Sequence, residues 1–135
     1  MSAGKIVICG GGGFIGGHLV ADLLRQGHKD IRAVDLKPVK EWYQVFPGVE
    51  NLQLDLQGKE ACETASKGAH TVYNLAADMG GMGFIENNKA LCMLSVLINT
   101  HLCMAAKKHA VQRYFYASSA CVYAAEPIIP VTDWG

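Results

Sequence analysis

The run Ile6-Val-Ile-Cys-Gly-Gly-Gly-Gly-Phe-Ile-Gly16 constrains this chain more than any other stretch. An apolar segment that ends in glycines and reopens as an amphipathic segment is a strand passing into a helix across a tight turn. Without Cβ atoms the backbone N–H groups of such a turn come close to an anion, and the following helix presents its positive end to the same place. The glycines allow two registers: Gly10, Gly13 and Gly16 fit G-x-x-G-x-x-G, while Gly11, Gly13 and Gly16 fit G-x-G-x-x-G. Gly13 and Gly16 belong to both.

The flanking sequence supports this reading. Lys5 to Cys9 has the continuous apolar character of a buried parallel strand. Phe14 to Gln26 carries Phe14, Ile15, Leu19, Leu23 and Leu24 at helical spacing, and Gly27 follows as a stop. A second strand, Ile31 to Val34, leads to Asp35. An acid placed about 20 residues beyond the glycines, at the end of the second strand, accepts hydrogen bonds from an adenosine ribose. Strand, glycines, helix, strand and acid in this order predict a dinucleotide site.

Leu36 to Gly48 reads as a connecting loop or short helix in which Trp42 and Phe46 are packing residues. Asn51 to Leu54 is a short third strand, and Asp55 at its end either accepts from an adenine amino group or caps the next helix. A helix over Gly58 to Lys67 and a fourth strand over Thr71 to Leu75 follow, then a glycine-rich loop from Ala76 to Gly83. From Phe84 to His109 the pattern is a long helix with a stripe of Leu91, Leu94, Ile98 and Leu102 and further apolar residues at Met93, Val96, Leu97 and Met104. A helix apolar on more than one side needs more than one covering surface, so one side is expected on the sheet and the other on a second subunit, as a homodimer contact, or on a missing segment. Arg113 to Ser118 is the fifth strand. The expected fold is α/β, a Rossmann-like doubly wound parallel sheet with strand order 3-2-1-4-5 and its crevice above strands 1 and 4.

The length of 135 residues suits one domain, residues 1–135. Twelve basic and twelve acidic side chains cancel with no long run of either sign, which argues against nucleic acid or an anionic membrane as partner. The five cysteines are odd in number and contain no C-x-x-C pair, against a disulfide framework or zinc site. Cys9, Cys62, Cys92 and Cys103 read as packing residues, and His101 and His109 as solvent-facing. No charged-then-apolar leader and no membrane-length apolar stretch is present, and the expectation is a soluble, cytoplasmic protein.

Two further blocks, Asn74-Leu-Ala-Ala-Asp-Met-Gly-Gly-Met-Gly-Phe-Ile85 and Tyr116-Ala-Ser-Ser-Ala-Cys-Val-Tyr123, resemble the extended short-chain dehydrogenase/reductase family, NAD-dependent epimerases and dehydratases. The likeness is strongest to the branch that epimerises GDP-mannose at C3 and C5. It implies NAD as cofactor and a GDP-hexose as substrate. The sugar is oxidised at C4, the 4-ketone acidifies the protons on C3 and C5, and re-reduction restores both the C4 hydroxyl and the cofactor. It implies cofactor positions at Gly10, Gly13, Phe14, Ile15, Gly16, Asp35, Asp55, Leu56 and Ala76, and hexose positions at Met79, Gly80 and Ser118. Ser119 matches the residue that hydrogen-bonds the C4 oxygen, and Cys121 the thiol that exchanges a proton with the ring. No metal is implied.

One family feature is missing. Oxidation at C4 relies on Tyr-x-x-x-Lys, in which the lysine lowers the phenol pKa, but the residues four beyond the five tyrosines are Pro47, Ala77, Ser118, Ala120 and Pro127. The expectation is therefore the amino-terminal portion of an epimerase without its substrate-capping domain, inactive alone. The rival readings are a non-catalytic dinucleotide-binding module and a related NAD-dependent nucleotide-sugar epimerase or dehydratase.

Overall fold

A computed structural model describes residues 4–76 and 89–116. Its elements are β1 (Lys5–Cys9), α1 (Phe14–Arg25), β2 (Ile31–Asp35), a 3-10 turn (Val39–Glu41), β3 (Glu50–Gln53), α2 (Lys59–Ser66), β4 (Ala69–Asn74), α3 (Lys89–Lys108) and β5 (Arg113–Tyr116). The five strands form one sheet in the order β3-β2-β1-β4-β5, and each neighbouring pair is parallel. The order and the doubly wound class agree with the sequence reading, with the described strand and helix ends moved by at most two residues. The expected start of the long helix at Phe84 lies outside the described residues.

Alternation along the strands divides the core between the two faces. Ile6 and Ile8 of β1, with Ile31 and Ala33 of β2, meet Val20 and Leu23 of α1 and the ring of Trp42. Val7 and Cys9, with Val34 and Val72, face the other way onto Cys62 and Ala65 of α2 and Leu102 and Ala105 of α3. Val7, Ile8 and Cys9 have no solvent exposure, as expected for a central strand covered on both sides. Trp42 is a core residue, in line with its packing role, and its Nε1 donates to the Lys37 carbonyl at 2.8 Å.

Arg32 is the charged residue inside the second strand. It points to the α2 face, where its guanidinium donates to the carbonyls of Ala65 at 2.7 Å and Lys67 at 2.9 Å, and its Nε donates to Glu50 at 2.8 Å. These carbonyls at the end of α2 lack intrahelical partners, and a cation there also complements the negative helix end.

On α3, Leu102 and Ala105 are buried and Ile98 is half-buried, while Met93, Val96, Leu97 and Met104 are exposed. The two-sided apolar pattern is thus real for the described side chains. Leu91 and Leu94 lie outside the described side chains. No described helix is long and apolar enough to cross a membrane.

Candidate dinucleotide-binding site

The site forms where β1 and β2 end and α1 begins. Gly10 takes φ +88°, a left-handed conformation that glycine adopts without strain. A Cβ there would sit 2.7 Å from the Leu75 carbonyl carbon and 2.9 Å from the Ala76 nitrogen, so the turn lies directly on the end of β4. A Cβ on Gly16 would lie 2.2 Å from the Gly10 carbonyl oxygen, which is why the first turn of α1 can pack on the strand end. A Cβ at Gly11 or Gly12 would be crowded as well, by the Ala33 side chain at 2.8 Å and the Trp42 ring at 2.7 Å, so it is the left-handed φ of Gly10 that favours the register Gly10, Gly13, Gly16.

Gly13 is different. A Cβ added there would meet only the Gly10 oxygen, at an ordinary 3.5 Å. The polypeptide does not require glycine at this position, and the space belongs to whatever approaches from outside. Gly13 is also the N-cap of α1 and supplies no side-chain cap. The first turn contains no acid, and the N–H groups of Phe14, Ile15 and Gly16 have no intrahelical acceptor. The positive end of α1 is thus open toward an anion. The Phe14 and Ile15 side chains are exposed, so these residues offer the site their backbone.

The carboxylate of Asp35 closes the other side. Its Oδ2 accepts from the Gly12 N–H at 3.0 Å and its Oδ1 from the Lys37 N–H at 3.1 Å. A carboxylate has about four acceptor sites, so the two backbone donors leave each oxygen with acceptor capacity to spare. Two protein donors fix the carboxylate in place without saturating it. Trp42 packs on Gly12, and the Tyr43 N–H donates to the Gly12 carbonyl at 2.9 Å, which clamps the loop after β2 onto the glycine turn.

Asp55 and Leu56 lie after β3. The Asp55 carboxylate is exposed and accepts from the Gln57 N–H at 3.0 Å, forming a turn, while the N-cap of α2 is Gly58 with no side-chain cap. Of the two readings of Asp55, helix capping is therefore not what it does. The Leu56 side chain is buried in the core, and its carbonyl accepts from the Cys62 thiol at 3.1 Å. Ala76 borders Gly10 at the end of β4, and its N–H is held by Asn74 Oδ1 at 3.1 Å. The structure thus gathers Gly10, Gly13, Phe14, Ile15, Gly16, Asp35 and Ala76 around one turn. Met79, Gly80, Ser118, Ser119 and Cys121 lie outside the described residues.

Burial pushes the Cys62 thiol up to about 12, with the negative charge of Asp55 adding to the effect, and raises that of Cys9 as well. Both are inert packing thiols. Cys103 departs from the expectation: it sits on an exposed face of α3. His101 also departs, being half-buried with Nδ1 3.0 Å from the Gln57 carbonyl, and His109 is half-buried with its Nε2 shielded from solvent. Among the described residues no group of His, Cys, Asp and Glu is arranged to hold a metal.

Residues 6–134 match the profile of the NAD dependent epimerase/dehydratase family. The chain belongs to this family. It is 41% identical over 120 residues to GDP-mannose 3,5-epimerase of Arabidopsis thaliana, covering 88% of this chain and 32% of that protein. Among solved structures it is similar to MoeE5 in complex with UDP-glucose and NAD, with TM-score 0.72 and 28% identity over 93% of this chain and 40% of that one. It is also similar to UDP-glucose 4-epimerase of Thermus thermophilus in complex with NAD, with TM-score 0.73 and 25% identity over 93% of this chain and 44% of that one. The chain spans about a third of the length of the curated epimerases it matches. The cofactor of the family is NAD, and the open helix end beside a fixed, unsaturated carboxylate fits a dinucleotide.

Proposed function

We propose that these 135 residues are the amino-terminal, NAD-binding portion of a nucleotide-sugar epimerase that acts on a GDP-hexose at C3 and C5. The observation that carries the cofactor part is the pairing of Asp35, held by the Gly12 and Lys37 N–H groups, with the uncapped N-terminus of α1. The substrate part rests on the 41% identity to GDP-mannose 3,5-epimerase.

In this reading the N–H groups of Phe14 and Ile15 hold the pyrophosphate and Asp35 accepts from the adenosine ribose. Asp55 and the Leu56 N–H border the adenine, and Gly10 and Ala76 underlie the nicotinamide half. NAD, when bound, supplies hydride acceptance and return at C4 of the hexose. Ser119 orients the C4 oxygen by a hydrogen bond, and Met79, Gly80 and Ser118 border the ring. Cys121 gives and takes the proton that inverts a ring carbon, which requires a thiol pKa near the working pH. The exposed face of α3 with Met93, Val96, Leu97 and Met104 is the contact of a homodimer.

The test is isotope exchange. A full-length polypeptide carrying these residues, incubated with GDP-mannose in deuterated water, is expected to place deuterium at C3 and C5, and Cys121→Ser is expected to abolish inversion. The 135-residue chain alone is expected to exchange nothing. A full-length protein that leaves C3 and C5 protonated contradicts the substrate assignment, and inversion unchanged in Cys121→Ser removes Cys121 from the chemistry.

A further inference from the structure

Asn74 is the last residue of β4, paired in register with Cys9 at the end of β1, and is 2% exposed. Alternation along β4 sends it to the same face as Val72, toward α3. There its Nδ2 donates to Tyr114 Oη of β5 at 3.1 Å and lies 3.3 Å from Asn99 Oδ1 of α3, while Tyr114 Oη donates to the same Asn99 Oδ1 at 2.7 Å. Burial raises the Tyr114 phenol pKa, so the hydroxyl stays a donor. The remaining atom, Asn74 Oδ1, reaches along its own strand to accept from the Ala76 N–H at 3.1 Å. Every polar atom of the amide is thus used, joining β4, β5 and α3 in one closed set.

The backbone that this set holds is the backbone that touches Gly10: a Cβ at Gly10 would come within 2.7 Å of the Leu75 carbonyl. The ends of β1 and β4 flank the point where strand order reverses, and a dinucleotide lies across that point. With Asp35 on β2 taking the adenosine ribose, the other half of the dinucleotide extends over β4. This step rests on the proposed cofactor reading.

We propose that Asn74 is a positioning residue: through Asn99, Tyr114 and the Ala76 N–H it fixes the end of β4 as the support for the nicotinamide half of the dinucleotide, without touching the adenosine half. A merely structural role for a buried asparagine would weaken all ligands together. A positioning role separates them, because ADP occupies only the Asp35 and α1 side whereas NAD also needs the β4 side.

The experiment titrates a full-length polypeptide carrying these residues, freed of bound nucleotide, with NAD and with ADP by calorimetry. Asn74→Ala is expected to weaken NAD by about tenfold, the scale of a lost buried hydrogen bond, while ADP changes by less than about twofold. Tyr114→Phe keeps the ring and removes two bonds of the set, and is expected to shift NAD in the same direction by about threefold with ADP unmoved. If Asn74→Ala does not fold, Tyr114→Phe decides. Equal weakening of NAD and ADP, or no change in either, overturns the proposal. A parent chain that binds neither ligand overturns the cofactor reading itself, a different result.

Discussion

The units β1–α1–β2 and β4–α3–β5 are built on the same plan, two parallel strands joined across a helix, yet their carboxyl ends are finished in opposite ways. In the first, side chains are removed: Gly10 and Gly16 bring backbone against backbone, Gly12 lies under the Trp42 ring, Gly13 leaves open space, the helix has no side-chain cap, and one carboxylate is held half-satisfied. In the second, Asn74, Asn99 and Tyr114 fill the gap and spend every polar atom of the central amide on one another and on Ala76. An end that must admit a charged ligand leaves donors open, and an end that must stay still closes them. The contrast distinguishes a binding edge from a supporting one without reference to any relative.

The contrast breaks most sharply at Gly16. Gly16→Ala forces a Cβ to within 2.2 Å of the Gly10 oxygen, a clash with backbone that cannot rotate away. Loss of about 3 kcal/mol or more is expected in chemical denaturation. A smaller loss would show that the α1 start is looser than described. Next comes Arg32→Leu, which leaves the Ala65 and Lys67 carbonyls without their donor and is expected to cost about 2 to 3 kcal/mol by the same measurement. An unperturbed midpoint would mean that water replaces the guanidinium at no cost.

Gly13→Ala sharpens the difference between the two kinds of glycine. Its Cβ has room within the protein, so stability should fall by under about 1 kcal/mol, the range for an N-cap change. NAD affinity should nevertheless drop about tenfold, because the new methyl enters the ligand's space. Retained affinity would move the pyrophosphate away from Gly13.

The smallest effect concerns pH. The hydrogen bond from Arg32 holds the Glu50 carboxyl below its ordinary value of 4.5, with Lys5 adding to the field. A carboxyl lowered in the folded state contributes stability that is complete above its unfolded value and lost as the pH falls through the folded one. Because Glu50 is 45% exposed, the contribution is under about 1 kcal/mol. Glu50→Gln should flatten the stability profile on the acid side of pH 4.5 and leave the shape near neutrality unchanged. An identical acid slope in the variant would remove Glu50 from the account.

Much of this was legible in the sequence, for physical reasons that differ by region. The strand order follows from the alternation of apolar runs and helices, and Asp35 follows from its distance to the glycines, because both signals are local and periodic. The glycine register was not legible, since four consecutive glycines offer the same pattern twice. It took the left-handed φ of Gly10, and the fit of its backbone against the Leu75 carbonyl, to single out Gly10 as the turn glycine. Arg32 lay inside a run read simply as a strand, although a charged residue in a buried strand already signals a partner. Its partners, the α2 carbonyls, are far along the chain and have no spacing signature. The set around Asn74 was missed for the same reason, because contacts between distant elements leave no period in the sequence. Cys103 and His101 were misplaced because α3 carries apolar residues nearly all round, and the pattern could not say which side meets the sheet.

The most direct measurement is a calorimetric titration of a full-length polypeptide carrying these residues with NAD, repeated on Asp35→Ala. Saturable heat is expected for the parent chain, with an affinity reduced by about tenfold or more in the variant, the scale of losing a charge-assisted hydrogen bond to the ribose. No heat with the parent chain, or equal affinity in Asp35→Ala, would contradict the binding of a dinucleotide between Asp35 and the start of α1.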